Sequence, residues 1–394
     1  MNDEEKISFF AETNFRGQKK RFGIKKRDRR YHTYVMGKTG MGKSTLLLNL
    51  IRQDVENGEG LAVLDPHGDL AEKIVASVPE HRMKDLIYLD ATSKDNMVAF
   101  NPLEITDRSQ SALVVSSLIS VFKKIWDDSW GPRMEYILRN SLSTLAEFNK
   151  ASLLDLQRML QDGDFREILV EKVKNSEIKS FWLKEFAKYP ARMQAEVFSP
   201  IQNKIGQFLN NQVIRKIVGE RQSSFDLRDV MDNGKILIVN LSKGRIGEDS
   251  ASLLGSMLVI KIAMAALSRQ DTREENRRDF YLYADEFQSF ATTGFIDILS
   301  EARKYRLNLI LANQYLHQVD EKIRRAVFGN VGTLISFRTG AEDARSLARE
   351  FYPTFKETDF VNLPAYGIYL KLMIDGRTSE AFSADGLPPM EMFL

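Results

Sequence analysis

The chain has 394 residues, 43% of them hydrophobic and 28% charged, the balance of a folded globular protein too long for one small core. A formal net charge of +2 gives no global positive field, so any nucleic-acid contact must come from local patches. The absence of cysteine excludes disulfides, thiol catalysis and thiolate metal sites, and the four histidines, His32, His67, His81 and His317, lack metal-ligand spacing.

The amino end starts acidic and lacks the apolar segment of a secretory signal. Residues 16–30 pack nine basic side chains around one acid, Asp28, the densest positive run in the chain. This segment, taken as an arm over 1–30, is either a contact for nucleic acid or a partner, or a solvated arm or hairpin leading into the core. The second reading is favoured.

A strand ending at 34–36 then runs into Gly37-Lys38-Thr39-Gly40-Met41-Gly42-Lys43-Ser44, a complete phosphate-binding loop, with a helix from Thr45 onward. Its glycines let the backbone aim N–H groups at phosphate, and the helix amino end adds partial positive charge. Lys43 is expected on the β- and γ-phosphates and Ser44 on Mg²⁺. The next buried strand, 60–65, ends at Asp65, and Pro66-His67-Gly68-Asp69 turns into a helix. Asp65 either lies near the nucleotide, with His67, or caps that helix. A short strand follows at 85–90, then a strand end and break over 96–104.

From 106 to 208 strand-like runs vanish. Helical periodicity marks 112–126, 133–148, 153–160, 165–173, 179–189 and 202–208, an all-helical insertion between 31–105 and 209–394. All three tryptophans, Trp126, Trp130 and Trp182, fall in it and are expected in its core rather than stacked on bases.

The α/β pattern resumes with a strand at 234–241 and a long apolar helix at 249–268, in whose apolar stretch 251–268 the central Lys261 argues for a buried helix rather than a membrane span. The strand 279–284 ends in Asp285 and Glu286. Downstream of a phosphate loop, that acid pair completes a nucleoside-triphosphatase: Asp285 for Mg²⁺, Glu286 to orient and deprotonate the attacking water. A helix over 294–305 leads to the strand 307–312, which places Gln314 beside the γ-phosphate as a sensor. Strands at 333–338, 367–374 and 378–382 extend the sheet, with a turn at 375–377. The fold class is α/β, with a mostly parallel sheet and an inserted helical domain.

The order GKTGMGKST, LDPHGDL, FNPLE, helical insertion, GKILIVNLSKG, YLYADEFQSF, EARKYRLNLILANQY and LISFRTGAEDA resembles the coupling-protein ATPases of conjugative type IV secretion, in the HerA–FtsK superfamily. The resemblance implies a RecA-like core and hexameric rings that move DNA, single- or double-stranded, with a relaxase and membrane channel components as further partners. It also implies Mg²⁺-dependent ATP hydrolysis, with Lys43, Glu286 and Gln314 catalytic and Asp285 on the metal. An arginine is supplied to the neighbouring subunit in such rings, and Arg303 and Arg338, then Arg306, are the candidates. The family's amino-terminal membrane anchor is not visible here, so placement is expected in the cytoplasm or peripherally at the inner membrane face. A HerA-like chromosome-processing motor, a secretion-channel ATPase that does not grip DNA and a non-enzymatic scaffold are the alternatives. The intact Glu286 speaks against the scaffold, and the lack of a guanine-specificity motif favours ATP.

Overall fold

The computed structural model describes residues 3–95, 98–105, 107–148 and 150–390. Thr106, where the helical insertion was expected to start, and Asn96, the start of the expected 96–104 segment, lie outside the described residues. In chain order the strands are β1 (Ile7–Thr13), β2 (Arg21–Lys25), β3 (Thr33–Met36), β4 (Gly60–Asp65), β5 (Leu86–Asp90), β6 (Ile236–Asn240) and β7 (Phe280–Ala284). Then come β8 (Leu307–Asn313), β9 (Thr333–Ser336), β10 (Gly367–Lys371), β11 (Met373–Ile374), β12 (Arg377–Thr378) and β13 (Phe382–Gly386).

All but β11 and β12 join one 11-stranded sheet in the order β2-β1-β13-β10-β9-β3-β8-β7-β4-β6-β5. Its centre is parallel: β3 pairs with β8 and β9, β7 with β8 and β4, and β4 with β6. Every residue of β3, β4, β6, β7, β8 and β9 is buried, which is why these strands read as unbroken apolar runs. The wing β2-β1-β13-β10 is antiparallel and brings the two ends of the chain together. The strand expected over 367–374 is split after Lys371, and the turn at Asp375 and Gly376 (φ 53° and 76°) closes the separate β11–β12 hairpin.

The chain forms two compact units. One gathers the residues up to Tyr88, Leu227–Leu241 and those from Ile262 onward; the other joins Leu89–Asp226 to Ser242–Lys261. The helical unit is therefore wider than 106–208. Its flanks close on each other through Phe100 N–H donating to Ile217 O (2.8 Å) and Asn101 Nδ2 donating to Ala151 O (2.8 Å) and Arg221 O (3.0 Å). Within it, the expected helix at 179–189 is three short pieces, Ser176–Ser180, a π-turn Phe181–Glu185 and Phe186–Lys188. The expected helix at 202–208 instead runs Ala191–Leu209 through Pro200. An interior proline costs about 3 kcal/mol, which burial of Val197, Phe198, Ile201, Ile205, Phe208 and Leu209 at roughly 1.5–3 kcal/mol each offsets. Trp126 and Trp182 are buried, the latter donating Nε1–H to Thr144 Oγ1 (2.8 Å), whereas Trp130 is half-buried against Glu135.

The apolar run near residue 260 forms the helix Glu248–Leu267. By length and composition the stretch Glu248–Asp271 could cross a membrane, but 78% of its apolar window is buried within the protein. Lys261 donates to Glu104 O, and burial lowers its pKa to about 8.

The basic run is mostly internal scaffolding. Lys25 and Arg27 pair with Glu5 and Asp375, Lys26 with Asp3 and Glu59, and Arg30 with Glu4 and Asp279. Arg29 is buried: Nη1 and Nη2 donate to the two oxygens of Asp54, Nη2 also donates to Tyr283 Oη (2.7 Å), and the guanidinium lies 3.9 Å from the Tyr281 ring centroid. Burial disfavours the Arg29 charge, and Asp54, with Tyr283 and Tyr281, more than offsets this, raising its pKa. Arg16, Lys20 and Arg21, at the β1–β2 connection, make no ion pair among the described residues.

Removing one partner of a buried pair strands the other charge. Asp54→Ala is therefore expected to cost about 3–5 kcal/mol in urea unfolding at neutral pH, whereas the exposed Lys20→Ala should stay within about 0.5 kcal/mol. An Asp54→Ala loss no larger than that of Lys20→Ala would contradict the assignment.

Candidate functional site

Because β3, β4, β7, β8 and β9 are parallel, their carboxyl ends share one edge of the sheet, where open α/β sheets build their ligand crevice. The register is close: Met36 pairs with Asn313 and Ser336, so Gly37, Gln314 and Phe337 emerge side by side, and Ala284 pairs with Leu64 and Leu311 just before Asp285. The loop and the acid pair, more than two hundred residues apart in sequence, thereby become neighbours.

The loop is held from below. Gly37 N–H donates to Asn313 O (3.4 Å), Lys38 N–H to Arg338 O (2.9 Å) and Tyr366 N–H to Met41 O (3.1 Å). Gly37, Gly40 and Gly42 have φ of 154°, 76° and 120°. A Cβ on Gly37 would lie 2.5 Å from Phe337 Cβ, and one on Gly42 2.8 Å from Phe337 Cε1, so Phe337 is the floor against which the loop closes. At Gly40 a Cβ would meet nothing within 4 Å, leaving its outer side open to a ligand. The amides of Gly42, Lys43 and Ser44, which head the helix Lys43–Glu56, donate to no protein acceptor among the described residues. A cluster of free N–H groups at a helix amino end is an anion cradle.

Lys43 is buried and folds back so that Nζ donates to Gly37 O (2.5 Å) and Lys38 O (3.4 Å). Burial lowers its pKa, against the pull of Asp285 and Glu286. Ser44 is exposed on the first turn, and Thr39 and Thr45 flank the same loop. Asp285 is buried, and burial first, then Glu286 and Asp65, raise its pKa from 3.8 to about 7. Glu286 adopts a left-handed backbone (φ 46°, ψ 49°), a strained state for a residue with a side chain, held by its N–H donating to Asp285 Oδ1 (3.0 Å). Gln288 Nε2 donates to Glu286 Oε2 (2.6 Å) and to Gln318 Oε1 (3.1 Å), steadying that carboxylate. Gln314 is half-buried, with Nε2 donating to Tyr315 Oη (2.9 Å).

Asp65 is not free for a ligand. Oδ1 accepts from His67 N–H (2.8 Å) and Oδ2 from Leu70 and Ala71 N–H (2.8 and 2.9 Å), so it caps the helix Asp69–Val75 and forms the wall behind Asp285. His67 is exposed. The arginines separate cleanly. Arg338 follows β9, beside its own chain's loop, with Nε 3.2 Å from Met41 Sδ. Arg303 precedes β8 and lies 3.6 Å from the ring centroid of Tyr31, which precedes β3. It is thus at the opposite edge of the sheet, one strand length or roughly 20 Å from the phosphate loop. Arg306, with φ 57°, is at that same edge, 3.9 Å from Glu274. Phe337 and Gln288 were not singled out from the sequence; the signal for each is only adjacency, one step from Arg338 and two from Glu286.

A phosphate loop after one parallel strand and an acid pair after the next strand but one define a nucleotide-binding protein of the P-loop class. Within that class the chain belongs to the type IV secretion-system coupling proteins, whose DNA-binding domain matches residues 21–351. It is 22% identical over 369 residues to the type 4 coupling protein DotL of Legionella pneumophila, covering 79% of this chain and 47% of that protein, so the chain spans about half its relative's length. Its fold matches the bacterial conjugative coupling protein TrwB, with TM-score 0.69, 17% identity and coverage of 94% and 88% of the two chains. TrwB has also been solved with ADP and Mg²⁺ and with a non-hydrolysable ATP analogue. VirB4 of Thermoanaerobacter pseudethanolicus matches with TM-score 0.66, 12% identity and 98% coverage of both chains.

An acid whose folded pKa exceeds its unfolded value retains its proton on folding. Between about pH 4 and pH 7 the unfolded chain releases the Asp285 proton first, so stability falls as pH rises through that window and levels off above it. Asp285→Asn should remove this slope: its stability relative to the unaltered chain is expected to grow from pH 4 to pH 7 in paired unfolding curves, then stay constant. A difference independent of pH would contradict the raised pKa.

Proposed function

We propose that this chain is an ATP-driven DNA translocase that works as a hexameric ring and passes DNA, or DNA with bound protein, toward a conjugation or type IV secretion channel. The observation that carries this reading is the convergence of the phosphate loop, Asp285, Glu286 and Gln314 on neighbouring strand ends in a chain matched to a coupling-protein DNA-binding domain.

The residues fit a triphosphate and Mg²⁺. The unpaired amides at the helix head and Lys43 suit phosphate oxygens, and Ser44 Oγ with the Asp285 carboxylate supplies the hard oxygen donors that Mg²⁺ takes. The ion would neutralise charge on the phosphates. Lys43 would leave Gly37 O for the β- and γ-phosphates. Glu286, oriented by Gln288, would hold the attacking water and take its proton, and Gln314 would contact the γ-phosphate. The nucleotide complexes of TrwB support the same use of this fold.

Arg303 is the arginine proposed to act in a neighbouring subunit: it is exposed and too far from its own loop to serve there. Arg338, beside its own loop, suits a role within one chain, and Arg306 stands second to Arg303 for the trans role. The protein would act at the inner face of the membrane with a relaxase and channel components as partners. A secretion-channel ATPase that does not grip DNA is the second reading, since the same nucleotide site would serve it.

Lys43→Ala should abolish nucleotide binding. Glu286→Gln should bind ATP normally and hydrolyse it roughly 10²- to 10⁴-fold more slowly. ATP turnover with single-stranded, double-stranded and no DNA, recorded with oligomeric mass, decides between the readings. DNA-stimulated turnover by a ring supports the translocase, DNA-indifferent turnover by a ring supports the channel ATPase, and a DNA-indifferent monomer overturns both.

A further inference from the structure

The acid pair after β7 and Gln314 after β8 lie on one side of β3, so the γ end of a bound triphosphate is directed that way. The nucleoside must leave on the other side, over β9, β10 and β13. Strand β10 is antiparallel to β9, so its amino end, preceded by Tyr366, lies at the ligand edge. Gly367 there pairs with Asp385 near the end of β13.

Tyr366 is unusual in two independent respects. It is 49% exposed, among a core that buries most of its aromatic rings, and it has φ of 66°, a left-handed conformation that costs an aromatic residue about 1–3 kcal/mol. The strain is fixed at both backbone ends, by Tyr366 N–H on Met41 O (3.1 Å) and Gly386 N–H on Tyr366 O (2.8 Å). Its effect is to lay the ring against the loop: a Cβ on Gly42 would lie 3.0 Å from Tyr366 Cδ1. Beyond it, the tail is tied along the phosphate-loop helix, with Asn49 Nδ2 donating to Pro388 O (2.9 Å) and Arg52 Nη1 to Met390 O (2.6 Å). An exposed ring pressed against the loop, beside a fixed wall, is a stacking surface for a flat apolar group.

We propose that Tyr366 is the platform on which the nucleobase of the bound nucleotide stacks. This rests on the nucleotide-binding reading above and adds what holds the base. Stacking uses the π-face that every base has, so the platform contributes affinity without choosing between purines.

The test is equilibrium binding of ATP and of inorganic tripolyphosphate, each with Mg²⁺, to the full chain by calorimetry. Tyr366→Ala is expected to weaken ATP binding roughly 5- to 100-fold and leave tripolyphosphate binding unchanged, with Tyr366→Phe close to the unaltered chain. Unchanged ATP affinity in Tyr366→Ala overturns the proposal. So does an equal loss for both ligands, which would make the ring a prop for Gly42. Failure of the unaltered chain to bind either ligand would instead overturn the nucleotide site itself, and the base platform with it.

Discussion

The geometry of this protein depends on the buried contact of Arg29 with Asp54 and Tyr283. Asp54 belongs to the helix Lys43–Glu56 that starts at the phosphate loop, and Tyr283 belongs to β7, two residues before Asp285. One guanidinium therefore holds the helix that carries the phosphate cradle to the strand that carries the acids, and Tyr283 closes the triangle by donating its hydroxyl to Asp54. Such a cluster is costly to desolvate and adds little net stability over a well-packed apolar core. Its value is that it accepts one arrangement, because any slip of helix against strand strands a buried charge. A phosphate loop and an acid pair that must meet one ligand need that single register.

How much of this was legible in the sequence follows from where each signal resides. The strands β3, β4, β7 and β8 are buried on both faces and read as apolar runs, and the glycines of the loop announce conformations no other residue adopts at low cost. The antiparallel wing was less visible. In β1, Ile7 and Phe9 are exposed while Ser8 is buried under Arg29, which inverts the usual polarity of a half-buried strand. The basic run was legible as a charge cluster but not as scaffolding, because its partners Glu4, Glu59, Asp279 and Asp375 are scattered along the chain. The limits of the helical unit were hidden for the same reason, since the contact of Phe100 with Ile217 is invisible to periodicity.

Topology also separates residues that sequence treats alike. Arg303 and Arg338 each stand next to a core strand, and composition offers no way to rank them. The first precedes its strand and the second follows one, and in a parallel sheet that difference alone sends them to opposite edges. Asp65 and Asp285 likewise both follow apolar strands, yet one spends both oxygens on backbone amides and the other keeps its proton to near neutral pH.

The electrostatics of the pocket explain why this edge is built for a charged ligand. Asp65, Asp285 and Glu286 are buried together with Lys43, whose own charge is disfavoured by burial. Neither candidate arginine settles the balance within the chain: Arg338 is turned to Met41, and Arg303 is at the far edge. A buried acid pair held in a strained backbone, facing unpaired amides, is a poor arrangement for a protein that only needs to be stable. It would become favourable under the proposed function, with a divalent cation on the carboxylates and phosphate oxygens on the amides. The strained backbone at Glu286 and the raised pKa of Asp285 both lie in a site whose charges the proposed ligand would balance.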